Sequence, residues 1–282
     1  MTNPSAKNKF VIIICSKNMQ YAEKYIVILG ARAMCPWLLR RTAEWRFFMK
    51  LGLAGLIIDI GDVCGYTRKM CAAYEYCGDK AADFSVQCSK KALEEEAAKY
   101  PSMPEGYSEN LCIYREICRK GVEFGAMLIH SAAIAVDGKG YLFTALSGTG
   151  KTTHIRLWQE KFGDRAVVVN GDKPIVRRFE GKFHVYGTPW CGKEGVNSNI
   201  HVPIEGICIL ERGEENKIER VSAHAAAAKL MEQTSRPKTA AGMAALLDIL
   251  DALITEVPVY RLFCNREPEA AEVSYGGMCR GK

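Results

Sequence analysis

Residues 145–153 read ALSGTGKTT, and this short run constrains the fold more than any other part of the chain. It matches the phosphate-loop pattern G-x-x-x-x-G-K-[ST] at every position but the first, where Ala145 replaces glycine. The apolar segment 141–146 predicts a strand before it, and a helix is predicted from Thr152 to Lys161. Such a loop points backbone N–H groups and a helix N-terminus at one spot, where they bind phosphate. The alternative is an ordinary Gly/Ser turn.

The motif, called the phosphate loop (residues 145–153) below, assigns roles to individual residues. Lys151 is expected to reach the β- and γ-phosphates of a nucleoside triphosphate, and the Thr152 hydroxyl to ligate Mg²⁺. ATP and Mg²⁺ are therefore the expected cofactors. The predicted nucleotide-binding residues are Ser147, Gly148, Thr149, Gly150, Lys151, Thr152 and Thr153.

An acidic residue is expected near the phosphates, because phosphoryl transfer needs a metal ligand and a group that orients the nucleophile. Asp172 follows the apolar strand predicted over 165–170. That position, at the end of a buried strand, is typical of a metal-binding carboxylate, and the sequence predicts Asp172 as metal ligand and catalytic residue. The alternative is a simple turn, since Asn170-Gly171 is a turn dipeptide.

Composition excludes several classes of protein. The chain has 282 residues, 48% of them hydrophobic, which is enough to bury a core. No apolar run reaches 18 residues, and the early run 10–15 is too short for a signal peptide. The twelve cysteines are scattered without a C-x-x-C pair, which favours a reduced, cytoplasmic protein. We expect no membrane partner; a homo-oligomer stays open.

The net charge of +6 is confined to residues 1–48, and the rest of the chain is electrically balanced. A nucleic-acid partner is therefore not expected. Residues 1–48 form an irregular basic leader without an amphipathic stripe. It is either an arm that contacts a membrane or partner, or an extension upstream of a natural start at Met49, and we favour the second. Residues 49–104 are predicted as a small lobe, and residues 105–282 as the domain that holds the phosphate loop.

Alternating and periodic hydrophobicity predicts mixed strands and helices rather than an all-parallel sheet. Single strands are predicted over 51–59, 82–88 and 127–136, and hairpins follow at 137–140 and 180–181. Weaker candidates for a functional role are Lys173, Arg177, Lys193, Arg212, His154, Arg156 and Trp190.

Three segments give the chain a resemblance to a known family. Residues 130–140, 145–154 and 169–174 resemble the kinase domain of HPr kinase/phosphorylase-related proteins, and the phosphate loop is similar to that of ATP-dependent phosphoenolpyruvate carboxykinase. The resemblance spans about residues 106–270; the segments 186–192 and 258–271 look like features of a bacterial branch. It implies an α/β, phosphoenolpyruvate carboxykinase-like P-loop domain with a mixed sheet, plus a small N-terminal α+β lobe.

The resemblance also implies roles for residues of this chain. Lys151 and Thr152 would bind phosphate and metal, and Asp172 would bind metal and abstract a proton. His130 would lie near that acid as a third catalytic residue; the alternative for a lone strand histidine is a core residue. The chain departs from the family at Gly171, where a second acid is common. It also lacks the Glu-Leu-Arg-Gly segment of true HPr kinases.

Together these features predict an ATP- and Mg²⁺-dependent, HPr kinase-like phosphotransferase that acts on a hydroxyl. The acceptor would be a serine of a small protein or a peptide. The alternatives are a small-molecule kinase and a nucleotide-binding regulatory protein with weak ATPase activity.

Overall fold

The computed structural model describes residues 46–104 and 106–280. These residues form twelve strands and seven α-helices. The strands are β1 (Arg46–Leu53), β2 (Leu56–Cys64), β3 (Phe84–Ser85), β4 (Ala126–Leu128), β5 (Ser131–Val136), β6 (Lys139–Thr144), β7 (Ala166–Asn170), β8 (Ile175–Phe179), β9 (Lys182–Tyr186), β10 (His201–Arg212), β11 (Lys217–Arg220) and β12 (Val259–Cys264). The helices are α1 (Gly65–Cys71), α2 (Lys90–Lys99), α3 (Tyr107–Gly121), α4 (Lys151–Phe162), α5 (Ala223–Glu232), α6 (Ala240–Glu256) and α7 (Glu269–Arg280).

The strands build two sheets. β1, β2 and β3 form a three-stranded sheet. The other nine form a mixed sheet in the order β4-β8-β9-β10-β6-β5-β7, to which β12 adds on β10 and β11 on β12. β10 runs parallel to β6 and to β12, whereas the remaining pairs of this sheet are antiparallel. The prediction of a mixed α/β protein with a mixed sheet is confirmed.

Helices cover both faces of the large sheet. Successive side chains of a strand point to opposite faces, and β6 follows this rule. Leu142 belongs to a core cluster with Leu230 of α5 and Leu250 of α6. Phe143 belongs to another cluster with Trp158 of α4 and Met278 of α7. β6 is therefore packed against helices on both faces, and the phosphate loop follows directly after its last residue.

Three strand predictions are wrong in their extent. The run 51–59 turns at Ala54 and Gly55, both of which have positive φ, so it splits into the hairpin β1–β2. Only Phe84–Ser85 of the run 82–88 pairs with a neighbour. The run 127–136 is broken because β4 pairs with β8 whereas β5 pairs with β6 and β7. His130 stands at that break.

The predicted basic leader lies outside the described residues except for its last three positions. β1 begins at Arg46, and the Arg46 guanidinium pairs with the Glu109 carboxylate of α3 at 2.7 Å. Within the described residues, no helix is long and apolar enough to cross a bilayer. The ten cysteines of this part are free thiols.

Candidate functional site

The phosphate loop connects β6 to the first turn of α4. Leu146, Ser147 and Gly148 are exposed, and Thr149 to Thr153 are half-buried. Gly150 has a φ of 129°, a conformation that residues with a Cβ rarely adopt. This glycine turns the chain directly into α4.

The N-terminus of α4 has no side-chain cap. By contrast, Ser89, Ser222 and Thr239 each accept a hydrogen bond from the first turn of α2, α5 and α6. A cap of this kind satisfies one of the free N–H groups that every helix start presents. In α4 the glycine at this position leaves those N–H groups available to an anion.

Lys151 is folded back over the loop. Its Nζ donates a hydrogen bond of 2.9 Å to the backbone oxygen of Ala145. Burial lowers the pKa of Lys151, and the nearby Asp172 carboxylate partly offsets this effect. Lys151 and Asp172, predicted from separate motifs, are therefore close enough to interact electrostatically.

Asp172 lies between two donors. His130 Nε2 is 2.9 Å from Asp172 Oδ1, and Lys173 Nζ contacts Asp172 Oδ2. Burial by itself would raise the pKa of Asp172, but the hydrogen bonds from His130 and Lys173 outweigh it and lower the pKa to about 2. The carboxylate is thus ionised at neutral pH.

A polar frame that the sequence analysis missed holds this group in place. Asn170 Oδ1 accepts hydrogen bonds from the backbone N–H groups of Asp172 (2.9 Å) and Lys173 (2.7 Å). Asn170 Nδ2 in turn donates to the backbone oxygen and hydroxyl of Thr188. Asn170 and Thr188 are completely buried. The Asn-Gly dipeptide therefore forms a turn and also helps to hold Asp172. The only sequence feature that pointed to this role of Asn170 was its position at the end of a predicted buried strand.

Gly171 occupies a crowded position, where the sequence has glycine in place of a second acid. A Cβ at this residue would lie 3.0 Å from the backbone oxygen of Cys191 and 3.3 Å from that of Val196. Gly171 also donates its N–H to Val196 at 3.0 Å, which fixes the neighbouring backbone. The absence of a second acid at position 171 is therefore accompanied by close backbone packing around Gly171.

The weaker candidates separate into two groups. Arg212 donates to the backbone oxygen of Gly148 at 2.8 Å and therefore belongs to the phosphate loop region. Arg177 is structural, because it donates to Phe124 and to Ala54 in the β1–β2 turn. Trp190 is buried and donates to Asn110, so it packs in the core. Arg156 pairs with Glu194 on the surface, and Lys193 is exposed.

His154, one of the weaker candidates, is a buried residue of α4. It is 2% exposed, and its Nε2 lies 3.0 Å from the Ser274 hydroxyl of α7. Burial lowers the pKa of His154 to about 4. The periodicity of α4 already placed apolar residues beside it, but it could not show that α7 covers this face.

Two cavities open beside the phosphate loop. One, of about 360 Å³, is lined by Thr149, Gly150 and Thr153 on one side and by Arg212, Asn265 and Arg266 on the other. The second, of about 320 Å³, is lined by Ala145, Leu146, Lys229, Glu232 and Gln233, among others, and shares Thr149 and Arg212 with the first. We call them the basic cavity and the loop cavity.

The residues at hand fit a magnesium ion that is carried by a nucleotide. Thr152 and Asp172 supply a hydroxyl and a carboxylate, the oxygen ligands that Mg²⁺ prefers. Among the described residues, no cluster of three or more His, Cys, Asp or Glu side chains could hold a metal ion. Mg²⁺ in phosphoryl-transfer sites is bound by one or two protein oxygens together with phosphates, which agrees with this sparse donor set.

Comparison with known proteins gives a family match and a weak structural likeness. No curated protein matches the chain. Among solved structures, the Hpr(Ser) kinase/phosphatase from Coxiella burnetii is 8% identical, with 55% of this chain and 97% of that chain covered, at a TM-score of 0.33. Residues 109–265 match the family described as SynChlorMet cassette protein ScmC. Because the match spans more than half of the 282 residues, the chain belongs to the ScmC family.

Proposed function

We propose that this chain is an ATP- and Mg²⁺-dependent phosphotransferase whose acceptor group is a hydroxyl. The observation that carries the proposal is the ionised Asp172 carboxylate, held by His130 and Lys173 and interacting with Lys151 at the start of α4. An ionised acid, a lysine and an uncapped helix N-terminus are the parts that phosphoryl transfer requires at one place.

The nucleotide has a site beside these groups. Lys151 would exchange its hydrogen bond with the Ala145 carbonyl for contacts with the β- and γ-phosphates, and the free N–H groups of α4 would bind the same phosphates. The basic cavity next to Thr149 and Gly150 then accommodates the nucleoside, with Asn265 as a hydrogen-bonding group and Arg266 as a stacking group. Mg²⁺, when bound, neutralises charge on the phosphates.

Asp172 orients the acceptor. A carboxylate with a pKa of about 2 is a weak base, so its first task is to align the hydroxyl and to face the metal. The acceptor oxygen bonds to the γ-phosphorus as the bond to the β-phosphate oxygen breaks, and the hydroxyl proton leaves late toward Asp172. His130 and Lys173 keep the carboxylate in position throughout. The acceptor is a serine of a small protein or a peptide, and the reaction takes place in the cytoplasm.

The second candidate is a nucleotide-binding regulatory protein with weak ATPase activity. Gly171 favours it, because the second acid is missing at this position and the backbone oxygens of Cys191 and Val196 crowd it. A single carboxylate must then serve both the metal and the acceptor.

Asp172→Asn tests the proposal. The amide keeps the shape but loses the charge, so we expect the variant to bind Mg·ATP and to lose on the order of 10²-fold or more in release or transfer of the γ-phosphate. Asp164→Asn, which changes an exposed acid just after α4, is the matched control and should keep full turnover. Near-normal turnover of Asp172→Asn would reject the assigned role. ATP binding without turnover in the unaltered chain would favour the regulatory protein.

A further inference from the structure

A third cavity lies on the acceptor side of the candidate site. It has a volume of about 290 Å³ and is lined by His130, Tyr114, Leu128 and residues 232–236 together with two arginines of α3. His130 thus faces both this cavity and the Asp172 carboxylate. Because Arg115, Arg119 and Arg236 line it, we call it the arginine cavity.

The arginine cavity adjoins the loop cavity. Glu232 and Gln233 line both of them. The segment that separates them is fixed to the sheet, because His130 donates its N–H to Gln233 at 2.7 Å and Thr234 donates its hydroxyl to Leu128 at 2.6 Å. A molecule in the arginine cavity therefore lies next to the cavity that Ala145, Leu146 and Thr149 of the phosphate loop line.

The charge of the arginine cavity is positive. Three arginines line it against the single carboxylate of Glu232. Lys173 also lies nearby, with its Nζ 5.9 Å from the centre of the Tyr114 ring, but its charge is paired with Asp172. Arg115 pairs with Glu96 and Arg119 with Glu116, but neither glutamate lines the cavity.

Arg236 has no ion pair with another described residue, whereas Glu232 pairs with Lys229 at 3.8 Å. The guanidinium group carries five N–H donors in a planar fork that binds carboxylates bidentately. Two elements, α3 and the segment after α5, thus present donors from opposite walls of one cavity.

We infer that the arginine cavity binds an acidic side chain of the acceptor peptide, adjacent to the residue whose hydroxyl is phosphorylated. The inference rests on the proposed function and names the acceptor class. Neighbouring residues of an extended peptide are about 3.3 Å apart along the chain. An acidic residue in the arginine cavity therefore leaves the next residues to pass His130 toward Asp172. A single small molecule would not need a second, separate cavity of this charge.

The test uses two synthetic peptides that differ only in charge. Each has a central serine in an alanine–glycine background, flanked by glutamates in one peptide and by glutamines in the other. Binding to the full chain is measured by fluorescence anisotropy in the presence of Mg·ADP, so that the readout does not depend on turnover. We expect the glutamate peptide to bind at least about tenfold more tightly, as charge-assisted hydrogen bonds predict.

Variants of the cavity's arginines test whether the preference for the glutamate peptide arises in the arginine cavity. Arg236→Gln and Arg119→Gln, on opposite walls, should each reduce binding of the glutamate peptide about tenfold while ATP affinity stays unchanged. Lys238→Gln removes a positive charge two residues beyond Arg236 and outside the cavity lining, and it should have no effect.

Equal binding of both peptides, binding of neither, or an unchanged preference in both arginine variants would overturn the inference. Binding of free malate in place of the peptide would also overturn it and would indicate a small acidic acceptor. Each of these results is separate from a failure of the proposed function, which would show itself in the unaltered chain as no binding of ATP, or as binding of ATP without release or transfer of the γ-phosphate.

Discussion

Asp172 and His154 show how neighbouring groups set the charge of a buried residue. Asp172 stays ionised because His130 and Lys173 donate to it, and its pKa falls to about 2. His154 has only the Ser274 hydroxyl as a partner among the described residues, while its Nδ1 has none, and burial lowers its pKa to about 4. The donors around Asp172 thus keep a negative charge at the candidate site, whereas burial keeps His154 uncharged in the core.

His154 should make the stability of the protein depend on pH. Its folded-state pKa of about 4 lies below the ordinary histidine pKa of 6.5, so at intermediate pH the unfolded chain binds a proton that the folded chain does not bind. Stability is thus complete above pH 6.5 and is lost as the pH falls toward 4. From pH 7 to pH 4.5, we expect this group to cost the wild type on the order of 2 kcal/mol.

Urea unfolding followed by tryptophan fluorescence measures this loss. His154→Gln should show a smaller drop in unfolding free energy between the two pH values, whereas His224→Gln, at an exposed position on α5, should behave as the wild type does. Equal drops in the wild type and His154→Gln would show that another group is responsible.

At the scale of elements, the sequence predicted what depends on local patterns. The strand predicted over 141–146 and the helix predicted from Thr152 to Lys161 correspond to β6 and α4, within two residues at each end. The break at His130 was missed because it follows from a change of pairing partners, which local hydrophobicity does not encode. For the same reason, the local sequence pattern did not predict that Arg236 lies near α3.

Glu109 joins the small sheet to α3, and this connection can be tested. Its Oε2 accepts hydrogen bonds from the Cys64 N–H (2.8 Å) and the Thr67 hydroxyl (2.7 Å). Burial opposes its charge, but hydrogen bonds from Cys64 and Thr67 and the nearby Arg46 lower its pKa below the ordinary value. Thr67→Val keeps the volume and removes one donor from a buried carboxylate. It should therefore cost about 1–3 kcal/mol of unfolding free energy.

Thr67→Ser keeps the hydroxyl and is the control for this change. Chemical denaturation of both variants gives the difference directly. A valine variant as stable as the serine variant would show that the hydroxyl does not support Glu109.

The whole molecule brings together groups from distant parts of the sequence. β6 leads into the phosphate loop, the β4–β5 break supplies His130, and the end of β7 supplies Asp172. The loop cavity shares Thr149 and Arg212 with the basic cavity, and it shares Glu232 and Gln233 with the arginine cavity. The individual motifs were predictable from spacing. The cavities are lined in part by residues of α3, α5 and β12, and no local sequence motif predicts that these elements lie beside the phosphate loop.

The central claim is that the phosphate loop binds Mg·ATP through Lys151. Isothermal titration calorimetry of Mg·ATP with the wild type, Lys151→Ala and Lys161→Ala tests it most directly. Lys161 lies in the last turn of the same helix and pairs with Glu272 on the surface, so its loss is a matched control. We predict that Lys151→Ala weakens binding by about 100-fold or more, as the loss of charge-assisted phosphate contacts requires, and that Lys161→Ala binds as the wild type does. Equal affinity of Lys151→Ala and the wild type would contradict the account.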